Sequence, residues 1–253
     1  MTQLSVNMNV AALLRNRRGH PWPDVPGLAR AALTAGAAGL TLHPRPDARH
    51  ATAEDAWTFR RMIDAHFPNR ELNIEGYPDP RFLSLVEAVR PEQVTLVSDA
   101  PDQATSDHGW DFRAQAAELA DWVARLKSAG CRVALFADAE AAHMSDAAAT
   151  GADRVELYTG PYGSAHADAG LAAHELHRLA QAAMAARGCG LGVNAGHDLT
   201  VPGTRALLAQ IPTIDEVSIG HALFCDALSF GMTETVRRYL SACQTAGLSA
   251  EPQ

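Results

Sequence analysis

Short apolar, β-branched runs alternate with longer alanine-rich stretches of helical period along the whole chain. The short runs predict strands over Leu4–Asn9, Gly39–His43, Glu71–Gly76, Gln93–Val97, Arg132–Ala137, Arg154–Tyr158, Gly190–Asn194 and Glu216–Ile219. Helical periodicity falls between them, over Pro26–Ala35, Thr52–Phe67, Asp79–Val89, Asp111–Ala129, Glu140–Thr150, Ala167–Arg187 and Val201–Ile211. A closing helical pair follows near Ala222–Phe230 and Met232–Ala246. Glycines in TAGAAG, SAGC, TGAD and ARGCG sit where helices should stop, because glycine tolerates the left-handed conformation. Strand–helix units of about 30 residues, repeated eight times, fit an α/β fold of the (β/α)8 TIM-barrel type. A doubly wound open sheet also alternates, but it calls for a G-x-G-x-x-G turn that is missing after the first run.

No linker or compositional shift divides the chain, so residues 1–247 read as one barrel domain and 248–253 as a frayed tail. Two strand-to-helix loops are long, Ser98–Gly109 and Thr159–His166. Loops of that length in compact domains are usually lids or binding loops, and the first is expected to be a mobile lid.

Composition narrows the field. Hydrophobic residues make up 47% of 253, enough for a large core and too many for intrinsic disorder. No apolar run approaches the ~18 residues of a membrane span, and no secretory leader is visible, so the expectation is a cytoplasmic protein without a membrane partner. Cys131, Cys189, Cys225 and Cys243 are scattered, as reduced thiols would be, and no zinc finger is possible. A net charge of −8 argues against nucleic acid as a partner. Among 21 basic residues, Lys127 alone is a lysine. It falls at a helix end, where a solvated lysine is ordinary, so Schiff-base chemistry on an enzyme lysine is not expected.

Catalytic groups of a barrel come from the C-terminal ends of its strands. Those ends carry Asn7 and Asn9, His43, Glu75, Asp99, Asp138, Glu156 with Thr159, Asn194 with His197, and Gly220 with His221. Glu75 lies in the apolar run ELNIEGY, where burial would raise its pKa into a range useful for proton transfer. Its bland alternative is a carboxylate paired with an arginine. Glu156 reads equally as a participant or as a group that orients a neighbour. HPRPDARH offers Arg45 and His50 beside His43, either as a phosphate anchor or as a stiff surface loop. The turns NAGH and IGHA resemble the glycine loops and helix starts that bind phosphate on barrels. Arg15, Arg17 and Arg18 flank the same rim and read as a solvated cluster or as a reach toward phosphate. His174 and His177 fit no metal motif and read as surface residues.

These segments carry a family likeness. VNMN with LLRNRRG, GLTLHPRPDARH, LNIEG, QVTLVSDAPDQATSDHGWD, RVELYTGPY, GVNAGHDL and SIGHAL, in that order, resemble the pyridoxine 5′-phosphate synthases of vitamin B6 biosynthesis over nearly the whole chain. The resemblance implies a (β/α)8 barrel that condenses 3-amino-2-oxopropyl phosphate with 1-deoxy-D-xylulose 5-phosphate, without cofactor or metal. Its partners would be small phosphorylated molecules and further copies of itself, in an octamer. It casts His43 and Glu75 as proton acceptors and His197 as proton donor. It assigns Asn7, Arg18, Asp198, Gly220 and His221 to the aminooxopropyl phosphate, and Arg45, His50 and Thr105 to the deoxyxylulose phosphate. Asn9-Val10 stands where many members carry Asp-His, Asp198 where glycine is frequent, and Asp226 where arginine is common.

Two other readings compete. A metal-dependent sugar-phosphate isomerase or epimerase would use Glu75, Glu156, His43 and His197 as ligands. A barrel that only binds phosphorylated metabolites would need no acid–base set.

Overall fold

The computed structural model describes residues 1–99 and 106–245. Eight parallel strands close into a barrel in sequence order: β1 (Gln3–Asn7), β2 (Gly39–Leu42), β3 (Glu71–Gly76), β4 (Gln93–Leu96), β5 (Arg132–Ala137), β6 (Arg154–Tyr158), β7 (Gly192–Gly196) and β8 (Glu216–Ile219). Closure comes from β1 pairing with β8, with Ser5 opposite Ser218. The helices are α1 (Asn9–Asn16), α2 (Val25–Ala35), α3 (Ala53–His66), α4 (Pro80–Val89), α5 (Phe112–Ser128), α6 (Met144–Ala149), α7 (Gly160–Ser164), α8 (Ala169–Gly188), α9 (Val201–Gln210), α10 (His221–Phe230) and α11 (Met232–Thr245).

Local chemistry explains most of the boundaries. Asp24, Thr52, Asp79, Asp111, Asp168 and Thr200 each accept a first-turn N–H at a helix start. Thr52 and Asp55 complete a capping box. Each strand alternates two faces. Its apolar positions, such as Val6, Leu40, Ile74, Leu135, Val155 and Ile219, join the buried core beneath the helices. Its polar positions meet inside the barrel. Thr95 on β4 donates to Glu156 on β6, and Gln93 on β4 donates to Glu216 on β8. Bonds between strands that are not neighbours can only cross the interior, so the polar side chains fill it.

Four expectations need correction. The first strand stops at Asn7, because the Asn7 carboxamide accepts the N–H of Asn9 at 3.1 Å and turns the chain into α1. Strand seven runs over Gly192–Gly196, two residues later than predicted, because Gly190 has φ +84° and ends the preceding helical turn. The stretch 140–150 divides into a single 3₁₀ turn at Ala141–His143 and α6. The long loop after strand six contains α7. The tail 248–253 lies outside the described residues.

Among the described residues, no helix is long and apolar enough to cross a membrane. Lys127 donates to Asp153 Oδ1 at 2.7 Å and to the Gly151 carbonyl at 2.9 Å, a surface bond away from the strand C-termini.

Candidate active site

Two adjoining cavities open at the C-terminal end of the barrel, and Asn7, Asn9, Val10, Glu75, His197 and His221 line both. One, of about 140 Å³, adds Glu156, Asp198, Ser218 and Gly220. The other, of about 230 Å³, adds Leu13, His43, Arg45, Arg49, His50, Asp99 and Ser106. The cleft is therefore a pair of lobes with Glu75 and His197 in their common wall.

Glu75 ends β3 inside the barrel mouth and is 7% exposed. Burial pushes its carboxyl up to about 7, and the nearby Asp99 charge adds to the rise. Asn7 Nδ2 donates to both carboxylate oxygens at 3.5 and 3.3 Å, and a hydrogen bond from Asn9 also tempers the shift. Asn9 has a second task, since its Oδ1 accepts the backbone N–H of His43 at 2.8 Å. One carboxamide at the start of α1 thus ties Glu75 to the end of β2.

His43 is buried, and burial holds its imidazole well below the usual histidine range. The charges of His50, Arg45, Arg49 and Arg81 act in the same direction, so the ring is neutral and able to accept a proton. His50 packs 5.6 Å from it, centroid to centroid, and burial brings His50 down to about 4. Arg45 is not a free anion anchor. Its Nη1 donates to Asp99 Oδ2 at 2.5 Å, and Ser106 Oγ donates to the same oxygen at 2.9 Å. Arg49, which the sequence reading passed over, borders the lobe as well.

His197 follows β7 with φ +85°, and Asp198 with φ +54°, two successive left-handed residues without glycine. Thr159, fully buried, fixes that turn: its Oγ1 lies 2.6 Å from the Gly196 carbonyl oxygen and 2.5 Å from that of His197, and its one hydroxyl proton is shared between them. The His197 ring packs 5.2 Å from Phe136 and edge-on to Tyr158 at 5.3 Å. Burial lowers its pKa while Asp198 and Asp99 oppose the drop. The second long loop therefore supports the His197 turn through Thr159. Sequence reasoning missed Phe136 and Tyr158, although they alternate inward on apolar strands beside named candidates.

Glu156 is 1% exposed, and burial raises its carboxyl well above the usual range, with Glu75 and Glu216 adding to the rise. Thr95 Oγ1 donates to Oε2 at 3.3 Å, while Oε1 presses on Gly196, where a Cβ would come within 2.5 Å of it. A neutral carboxyl in this position can donate into the first lobe. Gly220 caps α10, whose first-turn N–H groups have no partner within the helix, and Gly220 and His221 line that same lobe.

Not every candidate joins the cleft. Arg18 is exposed beyond α1 and lines neither lobe, and Thr105 lies outside the described residues. Arg15 is committed to Asp55 through two bonds, at 2.6 and 2.8 Å. Among the described residues, no three His, Cys, Asp or Glu side chains gather closely enough to hold a metal ion. Asp226, unexplained by sequence, lies near Tyr239, whose hydroxyl donates to the Leu199 carbonyl at 3.1 Å and is pushed up by burial and by that carboxylate's charge.

A closed parallel barrel whose strand ends present buried acid–base groups between two polar lobes defines a TIM-barrel enzyme of small-molecule metabolism. Comparison with known proteins narrows this. The family model described as pyridoxal phosphate biosynthesis protein PdxJ matches residues 4–245, and the chain belongs to that family. A "Pyridoxine 5′-phosphate synthase" of Chelativorans sp. (strain BNC1) is 60% identical over 244 residues, covering 96% of this chain and 98% of the relative. One of the same name from Brucella abortus (strain S19) is 60% identical over 240 residues, covering 95% and 98%. Among solved structures, a tryptophan synthase alpha-subunit from Pyrococcus furiosus superposes with TM-score 0.63 at 15% identity, covering 96% of this chain and 97% of that one. At that identity the likeness concerns the barrel alone.

Proposed function

We propose that this chain condenses 3-amino-2-oxopropyl phosphate with 1-deoxy-D-xylulose 5-phosphate, forming pyridoxine 5′-phosphate, phosphate and water. The observation that carries this reading is the pair of lobes sharing Glu75 and His197. Two phosphorylated substrates need two anion anchors, and the groups that move protons must lie between them.

In this reading Asn7, Asp198, Gly220 and His221 hold the aminooxopropyl phosphate, its dianion resting on the first turn of α10. His50 and Arg49 line the lobe for the deoxyxylulose phosphate, and Arg45, committed to Asp99, and Thr105 are assigned to that phosphate by family likeness. Arg18 is assigned to the aminooxopropyl phosphate by likeness alone. Amine and ketone join as a Schiff base between the substrates, so no enzyme lysine is needed. Glu75, near pH 7 half ionised, and neutral His43 accept protons from the carbon skeleton. His197 donates. Burial favours its neutral ring, and a bound phosphate dianion beside it favours the protonated form. Glu156 donates a hydrogen bond to oxygen that gains negative charge. Binding energy from the two phosphates aligns the reacting carbons.

The protein is expected to work in the cytoplasm as a homo-oligomer, an octamer by family likeness, without cofactor or metal. The test is to mix purified protein with both phosphates, with and without a strong chelator, and follow pyridoxine 5′-phosphate. Product in both arms supports the reading. Chelator-sensitive turnover favours the metal-dependent alternative, and binding without turnover favours a binding barrel.

A further inference from the structure

Ser218 lies on β8, two residues before Gly220, and is 4% exposed. Its Oγ is buried and meets no hydrogen-bonding group of the described protein. That sets it apart from the polar side chains around it. Ser5 bonds Thr41, Asn73 bonds Thr41, and Thr95 bonds both Asn73 and Glu156. An unmet buried hydroxyl in an otherwise satisfied network calls for a partner that binds there. Ser218 also borders the lobe shared by Glu75, Glu156 and His197, which gives such a partner a place.

Depth in the barrel says which part of a ligand arrives. Ser218 lies two residues before Gly220, which caps α10, a rise of about 7 Å along the chain. A phosphate on the first turn of α10 would direct its organic part down the barrel axis toward this level. In the three-carbon amino ketone, the carbonyl carbon is three bonds from phosphorus, so the ketone oxygen falls near Ser218. The strand pairing of Gly196 with Ser218 brings the same wall against Glu156 Oε1. Both sides of the ketone oxygen are then lined by hydroxyl or carboxyl groups.

We propose that Ser218 Oγ donates a hydrogen bond to the ketone oxygen of 3-amino-2-oxopropyl phosphate. The contact polarises the carbonyl and makes the neighbouring carbon easier to deprotonate by Glu75. It also rewards a ligand that carries a ketone over one that carries only the amine and phosphate. This contact rests on the proposed reaction, because it takes that reaction's amino ketone as the occupant of the lobe.

The experiment is calorimetric titration of wild type and Ser218→Ala with three ligands: the amino ketone phosphate, 3-aminopropyl phosphate, which lacks the ketone oxygen, and deoxyxylulose phosphate. Ser218→Ala should weaken the amino ketone by a factor on the order of 3–10, the range for one neutral hydrogen bond. The other two ligands should bind wild type and variant alike. Equal losses for the amino ketone and 3-aminopropyl phosphate, or no loss for either, would overturn the contact. Wild-type turnover tests the parent reading separately. A wild type that binds the amino ketone selectively but forms no pyridoxine 5′-phosphate would sink the reaction and leave the contact standing. A wild type that does not bind the amino ketone would sink both.

Discussion

Arg45 and Asp99 form an ion pair at 2.5 Å in which each side chain is 2% exposed. Buried pairs of this kind resist simple replacement, because removing one partner strands the other's charge. The carboxylate also reaches Glu75, whose rise to about 7 it reinforces. Asp99→Asn removes that repulsion and leaves Arg45 closer to uncompensated, and both changes move Glu75 downward. Glu75 accepts a proton only when ionised, so wild-type kcat/KM should fall as pH drops through about 7. In Asp99→Asn the fall should move to lower pH by on the order of one unit. An acid limb that stays in place would refute this link.

Glu75→Gln keeps the shape of the side chain and a hydrogen-bond acceptor for Asn7 but cannot exchange a proton. Turnover should drop by a factor on the order of 10²–10⁴, the usual worth of general acid–base help. Affinity for either phosphate should change far less, because proton transfer is felt mainly in the transition state. The measurement is turnover and binding of wild type and variant, each with chelator and with added divalent ions. Rescue by metal would point to ligation instead of proton transfer.

The barrel is legible in the sequence because every strand but β7, where Val193 alternates with Ala195, carries β-branched or leucine residues at alternate positions. Strands three, five, six and eight fall at their predicted bounds for that reason. Helix α1 is hidden because its start depends on the Asn7 side chain accepting a neighbouring N–H, a choice that periodicity does not register. Of the site, His43, Glu75, His197 and the Gly220–His221 turn stand at strand ends and could be picked out one at a time. Their relations could not. Asn9 bridging toward Glu75 and His43, Asp99 occupying Arg45, and Thr159 bracing the His197 turn all join residues from different strands. Arg15 and Arg18 show the converse: the basic cluster beside the rim reads either as solvated or as a reach toward phosphate, and it divides, Arg15 turning to Asp55 while Arg18 is exposed.

Glu216 lies at the opposite end of the barrel interior from the cleft and gives a stability test free of substrate. Burial raises its carboxyl to about 7, against 4.5 for the ordinary group, despite the opposing charge of Arg154. A raised folded-state value means that the folded protein holds this proton more tightly than the unfolded chain does. The stabilisation is therefore full below about pH 4.5 and is lost as pH rises through 7. The wild type should lose stability between pH 5 and 8, by on the order of 1–3 kcal/mol through this group. Glu216→Gln keeps an acceptor for Gln93 and removes the titration. Urea unfolding at both pH values should show a smaller difference in the variant, and an identical difference would exclude Glu216 as its source.

Arg15→Ala separates architecture from anion binding at the rim. The guanidinium holds Asp55 through two parallel bonds, with the side chains 20% and 8% exposed. Asp55 in turn accepts from the Thr52 backbone and hydroxyl at the start of α3. The pair therefore clamps α1 to α3 by charge-assisted bonds of the stronger sort. Deleting the arginine leaves a largely buried carboxylate with only its capping bonds, which should cost roughly 1–3 kcal/mol of unfolding free energy. Arg15 lines neither lobe of the cleft, so binding of both phosphates should stay within about twofold of wild type at temperatures where the variant is folded. The pH behaviour supplies a further check. Asp55 sits below its ordinary value of 3.8 because of bonds from Arg15 and Thr52 that outweigh its burial. That stabilisation exists above the unfolded value and disappears as pH falls through the folded one. The gap between wild type and Arg15→Ala should accordingly narrow below about pH 4. A variant of normal stability that loses affinity for one phosphate would place Arg15 in the anion site instead.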